Sequence, residues 1–210
     1  MMKRLLLAAT ILAAAPVAAL AQDAGLYDPA PPADSAFVRF VDASLKGDGT
    51  GSVDGAPLDL SGDGVSSFVV VKSGEHSVTY GDATASAAFD AGNYYTVVFN
   101  EAGQGPVVIK DEVLTNPAKA GLHFYNLTGE AGLSLAAPKQ KVAIFENVGP
   151  GEMKFRPVGA VDVDLAVESG GKTVVDVGSV KLERRAAKSV LVVASAAGPK
   201  AVVVDNTVER

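Results

Sequence analysis

The feature of this chain that most restricts its fold is a succession of short valine-rich runs separated by Gly, Asp, Asn and Ser. Runs such as Ala36–Ala43, Tyr94–Phe99, Gly121–Leu127 and Ser189–Ala194 favour β-strands, because β-branched and aromatic side chains suit an extended backbone. Beyond the N-terminal region, no segment keeps apolar residues at helical spacing over three turns. The sequence therefore predicts an all-β protein, with strands at the spacing of a β-sandwich.

Polar segments between these runs predict the connections. The Gly- and Asp-rich stretch Gly47–Gly55 is typical of a turn region. Ser73-Gly74 predicts a hairpin connection between the runs Val65–Val71 and Ser77–Tyr80. The stretch Leu182–Lys188 contains helix formers, but it lies between two strand-like runs and is predicted to be a turn.

The N-terminus has the pattern of a secretory signal peptide. Lys3 and Arg4 precede an apolar run from Leu5 to Ala15, and Pro16 then breaks the helix. Ala19-Leu20-Ala21 has the small-x-small pattern of a signal peptidase site, so cleavage is predicted after Ala21. The expected product is an exported protein, and the alternative is an N-terminal anchor that is not cleaved.

The rest of the chain is predicted to hold an arm and two domains. Residues 22–34 contain three prolines, which favour an extended arm because proline removes a backbone donor. Two later units repeat a strand, a turn, a second strand and a Gly-Pro step, at Gly105-Pro106 and at Gly198-Pro199. The repeat predicts tandem immunoglobulin-like β-sandwiches at residues 35–117 and 118–210.

Composition excludes several classes of function. After cleavage the chain would keep 16 basic and 24 acidic side chains, a net charge of −8 that disfavours binding to nucleic acid. The chain has no cysteine, which rules out thiolate metal sites and cysteine nucleophiles. Its two histidines, His76 and His123, show no metal-binding spacing. No cofactor or metal is predicted.

Motifs for catalysis are also missing from the sequence. There is no Gly-x-Ser-x-Gly elbow and no Gly-Asp-Ser nucleophile string, so no catalytic residue is predicted. Asp162 and Asp164 would share one face of a strand, where paired carboxylates more often solvate the surface. The acids between Asp48 and Asp63 leave weak Ca²⁺ binding open, although their spacing does not match an EF-hand.

Three residues within strands stand out. Arg39 is a single charge in an apolar strand, and we expect it to pair with a nearby acid. Tyr94 and Tyr95 are adjacent and must face opposite sides of their strand, so one ring is expected to stay exposed. Exposed aromatic rings are common at protein interfaces and on sugar-binding surfaces.

The segments Leu26–Pro32, Ser35–Arg39 and Asp42–Ser44 resemble the opening of the alginate O-acetylation protein AlgF family. Tyr94–Val98 and, more weakly, Arg156–Val158 extend the resemblance. It implies a periplasmic accessory protein, without catalytic activity of its own, for O-acetylation of alginate or a similar exopolysaccharide. The implied partners are Gly-Asp-Ser acetyltransferases and a membrane-bound O-acyltransferase.

From the resemblance and the strand pattern we select candidate partner-binding residues: Leu26, Tyr27, Pro29, Pro32, Arg39, Tyr94, Tyr95 and Arg156. Other functions stay open at this point. The main alternative is a carbohydrate-binding module for an acidic polysaccharide. The others are an acyltransferase or esterase with an unseen nucleophile, and a structural surface protein.

Overall fold

The central strands of the molecule carry apolar side chains on both faces, and this determines how the sheets stack. The computed structural model describes residues 30–44, 50–60, 62–99 and 106–209. Within these ranges the chain consists of strands, loops and one 3-10 turn at Pro138–Gln140, which confirms the predicted all-β class. The strands are β1 (Ser35–Asp42), β2 (Gly51–Val53), β3 (Ala56–Leu58), β4 (Phe68–Lys72), β5 (Gly74–Tyr80), β6 (Ala83–Phe89), β7 (Tyr94–Phe99), β8 (Val107–Asp111), β9 (Ala120–Leu127), β10 (Leu133–Ala137), β11 (Val142–Val148), β12 (Met153–Val158), β13 (Asp162–Ser169), β14 (Lys172–Lys181), β15 (Ala187–Val193), β16 (Lys200–Asp205) and β17 (Val208–Glu209).

The described strands form four sheets, and the second two repeat the topology of the first two. Sheet I has the order β17-β4-β1-β7-β8, and sheet II has the order β3-β2-β5-β6. Sheet III is β12-β9-β15-β16, and sheet IV is β11-β10-β13-β14. The parallel pair of β1 with β7 in sheet I corresponds to the parallel pair of β9 with β15 in sheet III. The repeat seen in the sequence thus corresponds to a repeated strand order, to which only β17 is added.

Each pair of sheets packs face to face around its own core. Sheets I and II enclose an aromatic core, in which Phe40 meets Phe99 at 5.3 Å and Phe89 meets Tyr95 at 5.1 Å between ring centroids. Sheets III and IV enclose a core of leucine, valine and phenylalanine side chains. Burying each large apolar side chain stabilises the fold by about 1.5–3 kcal/mol, so these cores supply the main stabilising term.

A third apolar cluster joins sheets I and III. Val41 and Val98 of sheet I pack there with Tyr125, Leu191 and Val193 of sheet III. The central strands of both sheets are therefore covered on two faces, which explains their nearly continuous apolar sequences. The described residues from Pro31 onward form one compact unit. The domain boundaries and the immunoglobulin-like detail drawn from the sequence stay predictions.

The end of the chain returns to the first half of the molecule. After β16 in sheet III, the strand β17 pairs in parallel with β4, so that Val208 lies opposite Phe68 in sheet I. The Phe68 N–H also donates to the carbonyl oxygen of Thr207 at 2.9 Å. The C-terminal residues therefore connect sheets that belong to different halves of the topology.

Two predicted connections differ from the structure. The hairpin at Ser73-Gly74 is wrong, because β4 pairs with β1 in sheet I whereas β5 lies in sheet II. The chain crosses there from one sheet to the other. Within the predicted turn region, Gly51–Val53 forms β2. The predicted turn before β15 is confirmed for residues 182–186, whereas the strand begins at Ala187.

Several predictions fall on parts of the chain outside the described residues. These include the signal peptide at residues 1–21, the arm up to residue 29, and the candidate residues Leu26, Tyr27 and Pro29. Their predicted roles stay predictions. Where the chain is described, it contains no helix of sufficient length and apolar character to cross a membrane.

Candidate functional site

Arg39 is the most unusual side chain in the interior of the protein. It lies in the middle of β1, and only 1% of its surface is exposed. Because Val38 and Phe40 point into the first core, Arg39 points the other way, towards sheet III. Its Cζ lies 4.6 Å from the ring centroid of Phe68 and 5.2 Å from that of Tyr125. The guanidinium thus contacts one ring from each sheet.

Hydrogen bonds compensate for the burial of this charge. Arg39 Nε donates to Thr96 Oγ1 at 2.9 Å, and Nη1 donates to Asn206 Oδ1 at 3.0 Å. Nη2 donates to both the Tyr125 hydroxyl at 2.8 Å and Ser189 Oγ at 2.9 Å. Burying a charge is costly unless it is hydrogen-bonded, and Arg39 here meets four acceptors on separate segments of the chain.

Asp111 balances the positive charge through two hydroxyl groups. Its Oδ2 accepts from Thr96 Oγ1 at 2.6 Å, and its Oδ1 accepts from the Tyr125 hydroxyl at 2.8 Å. Both hydroxyls in turn accept from Arg39. The expected pairing of Arg39 with an acid therefore holds only indirectly, through these two hydroxyl groups. Burial raises the pKa of Tyr125, which keeps its hydroxyl protonated and able to donate.

Asn206 extends the network to His123. Its Nδ2 donates to His123 Nδ1 at 3.2 Å, while His123 Nε2 lies 2.7 Å from the Glu112 carbonyl oxygen. This arrangement assigns the ring proton to Nε2 and leaves the imidazole neutral. Burial lowers the pKa of His123, in agreement with that assignment, although the Glu112 carbonyl and the Asp111 charge oppose the shift.

We call this set of connected side chains the junction network; its members are Arg39, Thr96, Asp111, His123, Tyr125, Ser189 and Asn206. All except Asn206 are buried, at no more than 5% exposure. In every described residue, each buried side-chain nitrogen or oxygen has a hydrogen-bond partner. A network without unpaired groups stabilises one arrangement of the two sheets.

The junction network holds the residue types of a catalytic triad but not its geometry. Ser189 is 0% exposed and donates its hydroxyl proton to Asn206 Oδ1 at 2.7 Å. A serine nucleophile needs a base within hydrogen-bond reach. Ser189 lies opposite His123 in the pairing of β15 with β9, yet both ring nitrogens of His123 are engaged elsewhere. The arrangement fits a structural role.

A cleft of about 340 Å³ opens beside the junction network. Phe68 and Tyr94 of sheet I line one part of it, and His123 and Ala187 of sheet III line another. The Tyr94 ring is half-buried, because it stacks on Phe37 at 4.3 Å and meets the edge of Phe68 at 5.2 Å. The charged residues of the cleft lining are Asp111, Glu112, Arg185 and Asp205.

The described candidate residues fall into three groups, one of which is the half-buried Tyr94 alone. Arg39 and Tyr95 are buried at 1% and 5% exposure, which corrects their interpretation as surface contacts. The Tyr95 hydroxyl instead lies against Asp90 in the first half of the molecule. Pro32 and Arg156 are exposed, and Arg156 Cζ lies 5.8 Å from the Phe145 ring centroid. The structure does not bring the described candidates together at one site.

Most members of the junction network were not predicted from the sequence. Thr96, Asp111, Ser189 and Asn206 were not singled out, because each is a common polar residue in a strand or loop. One available signal was the apolar character of both faces of β1, β7, β9 and β15, which indicates double burial. A polar residue within such a strand must find a partner in the covering sheet.

His76 lies outside the junction network and has a local role. Its Nδ1 is 2.7 Å from Asp54 Oδ2, and its Nε2 is 2.6 Å from the Lys72 carbonyl oxygen. The Ser77 backbone N–H and His76 together lower the pKa of Asp54. Across the described residues, no three histidine or acidic side chains converge in a way that could hold a metal ion.

Comparison with known proteins gives one consistent result. The family model described as "Alginate O-acetyl transferase AlgF" matches residues 9–189. The Alginate biosynthesis protein AlgF of Pseudomonas fluorescens is 34% identical over 176 residues, covering 80% of this chain and 76% of the relative. The protein of the same name from Pseudomonas aeruginosa is 32% identical over 178 residues, covering 82% of this chain and 79% of the relative.

One solved structure is also similar. It is that of the C-terminal domain of AlgF from P. aeruginosa, which is 31% identical to the matching part of this chain. The match covers 42% of this chain and 98% of the solved one, with a TM-score of 0.39.

Proposed function

The chain belongs to the family described as Alginate O-acetyl transferase AlgF, and on this basis we propose that it is a non-catalytic accessory protein for O-acetylation of alginate or a similar exopolysaccharide. In this role it docks acetyl-transfer enzymes, namely Gly-Asp-Ser acetyltransferases and a membrane-bound O-acyltransferase. The predicted signal peptide at residues 1–21 supports a location in the periplasm, where an emerging polymer would be modified.

The observation that carries this proposal is the state of the junction network. Acyl transfer through serine needs an accessible hydroxyl and a base in contact with it. Ser189 is inaccessible, and its proton is committed to Asn206 rather than to His123. The most triad-like group of the described residues therefore supports the contact between sheets I and III, which favours a role in binding over one in bond-making.

Two measurements on the purified mature protein test the proposal together. Isothermal titration with the purified Gly-Asp-Ser acetyltransferase of the same system should show a saturable complex in the micromolar range or tighter. Incubation with an activated aryl acetate should release acetate no faster than buffer alone. Catalytic acetyl release by the purified chain would overturn the non-catalytic assignment, and the absence of any complex would overturn docking.

A further inference from the structure

Two exposed arginines occupy the turn between β14 and β15. Arg184 and Arg185 are both exposed, and the Arg185 N–H donates to the Lys119 carbonyl oxygen at 3.0 Å. This bond holds the turn against residues 117–119, which places the exposed Lys119 close to Arg184 and Arg185. Arg184 and Arg185 also line a shallow depression together with Pro117 and Ala118. We call the residues 117–119, 184 and 185 the basic corner.

Two acids beside the basic corner are already paired: Glu183 precedes Arg184 in the chain, and Asp205 lines the same cleft as Arg185. Glu183 Oε1 forms an ion pair with Lys181 Nζ at 2.6 Å, and Asp205 forms one with Lys188. In the part of the chain that the structure describes, Arg184 and Arg185 form no ion pair. Glu112 lines the same cleft as Arg185 without contacting it within ion-pair distance. The basic corner therefore keeps an uncompensated positive charge.

The backbone of Arg185 adds a second observation. Its φ angle is 64°, in the left-handed region where glycine is the usual residue. A turn that needs this conformation is better served by glycine, so an arginine here sacrifices local stability. Such residues concentrate at sites where the side chain has a use.

The two halves of the chain differ in net charge, and most of the basic corner lies in the more positive half. Residues 35–117 contain 11 acidic and four basic side chains, a net charge of −7, whereas residues 118–210 contain 10 acidic and 12 basic side chains, a net charge of +2. A partner that carries acidic groups is therefore repelled by the first half and attracted to the second. This difference orients an acidic partner before contact.

We propose that the basic corner docks an acidic segment of a protein partner, and this inference rests on the proposed docking function. Arginines are enriched at protein interfaces, where their planar guanidinium groups bind carboxylates through two hydrogen bonds. Two apolar side chains lie beside the corner cations, since Pro117 is exposed and Val113, which lines the same cleft as Arg185, is 49% exposed. The described corner residues include no aromatic ring on which a sugar would stack.

The test compares charge reversal at the corner with charge reversal elsewhere. The mature chain and its variant Arg184→Glu/Arg185→Glu are titrated with the purified Gly-Asp-Ser acetyltransferase at low and at high salt. The control Lys172→Glu/Lys200→Glu makes the same change of charge at two exposed strand positions that have no ion pair among the described residues. A third variant, Arg185→Gly, removes one cation while keeping the backbone conformation that the turn requires.

The expected result is a loss of affinity of at least about tenfold for the double variant, with a weaker dependence on salt. The control should stay within about twofold of the parent, and Arg185→Gly should fall between them. If the parent binds and the double variant binds equally well, the basic corner is not the docking site, although docking itself stands. If the parent does not bind, both proposals fail.

A further arm of the experiment uses uronate oligomers as the probe. Binding of these oligomers to the parent and not to the double variant, with protein binding unchanged, would make the corner a polysaccharide site and overturn the inference. Binding of the oligomers to neither, together with the tenfold loss of protein affinity, would support it.

Discussion

Arg39 and Arg185 are the same residue type in opposite situations. Arg39 is 1% exposed, lies between two aromatic rings and donates to four side-chain acceptors. Arg185 is exposed, sits in a left-handed turn and has no ion-pair partner among the described residues. The junction network uses every polar group that it contains, whereas the basic corner leaves its charge available to another molecule.

The two arginines show two uses of charge, one in holding the fold together and one in binding another molecule. A saturated buried network fixes how sheets I and III meet, because any change of arrangement breaks several hydrogen bonds at once. The exposed pair Arg184 and Arg185 forms no ion pair among the described residues. Its charge therefore contributes interaction energy only when another molecule binds. Mutation should therefore affect stability at one site and affinity at the other.

The largest effect on stability is expected from Arg39→Ala. The substitution leaves the Asp111 carboxylate buried without a compensating cation and removes both ring contacts. Breaking a buried charge network by removing one partner costs about 3–5 kcal/mol. Urea unfolding of the variant and of the parent gives this difference directly. A loss below about 1 kcal/mol would mean that the network is not what holds the sheets together.

Asn206→Ala should have an intermediate effect. It removes the acceptor shared by Arg39 and Ser189 and the donor to His123, which leaves buried groups without partners. The expected cost is about 1–3 kcal/mol. The neighbouring exposed Thr207 provides a matched control, since Thr207→Ala loses only a 3.2 Å contact with Ser67. Equal unfolding midpoints for the two variants would contradict the assignment.

His123 makes the junction sensitive to acid. Burial lowers its pKa in the folded protein below the ordinary value of 6.5, so between the two values the unfolded chain binds more protons. The contribution of neutral His123 to the free energy of unfolding is complete above about pH 6.5. It declines as the pH falls from there through the lowered pKa of His123. Urea unfolding across this range should show the decline, and His123→Gln should reduce its slope. If His123→Gln leaves this slope unchanged, another group is responsible for the pH dependence of stability.

The smallest effect is a gain in stability. Arg185→Gly replaces a left-handed arginine with the residue that tolerates this conformation, so we expect the free energy of unfolding to rise by about 0.5–1 kcal/mol. The same substitution should weaken partner binding. Thermal unfolding measures the first property and titration the second. A destabilised variant would show that the Arg185 side chain contributes contacts within the fold.

The strands were predictable because the signals for them are local. Valine-rich runs identified β1, β7, β9 and β15 to within about two residues. β12, at Met153–Val158, was missed because it contains Pro157, which the edge position of this strand tolerates. The hairpin at Ser73-Gly74 failed because a turn signal does not specify which sheet receives the next strand.

The junction network was not predictable, since its contacts join residues that are far apart in the chain. Arg39 meets Tyr125 and Ser189 across 86 and 150 positions respectively. Register was a second obstacle. The strands Phe37–Phe40 and Leu122–Tyr125 look alike, yet Val38 and Phe40 enter one core while Leu122 and Phe124 enter the other. An alignment of Phe37 with Leu122 is wrong by one position, so it assigns each side chain to the opposite face of its strand.

The most direct test of the central claim, that this chain acts by contact and not by chemistry, is the O-acetyl content of the exopolysaccharide made by a deletion strain. Nuclear magnetic resonance of the isolated polymer would be compared after complementation with Ser189→Ala and with Arg184→Glu/Arg185→Glu, each shown to be folded. We predict near-parental acetylation with the serine variant and a strong loss with the arginine variant. Abolished acetylation with a folded Ser189→Ala protein would contradict the central claim, whereas normal acetylation with the arginine variant would contradict only the assignment of docking to the basic corner.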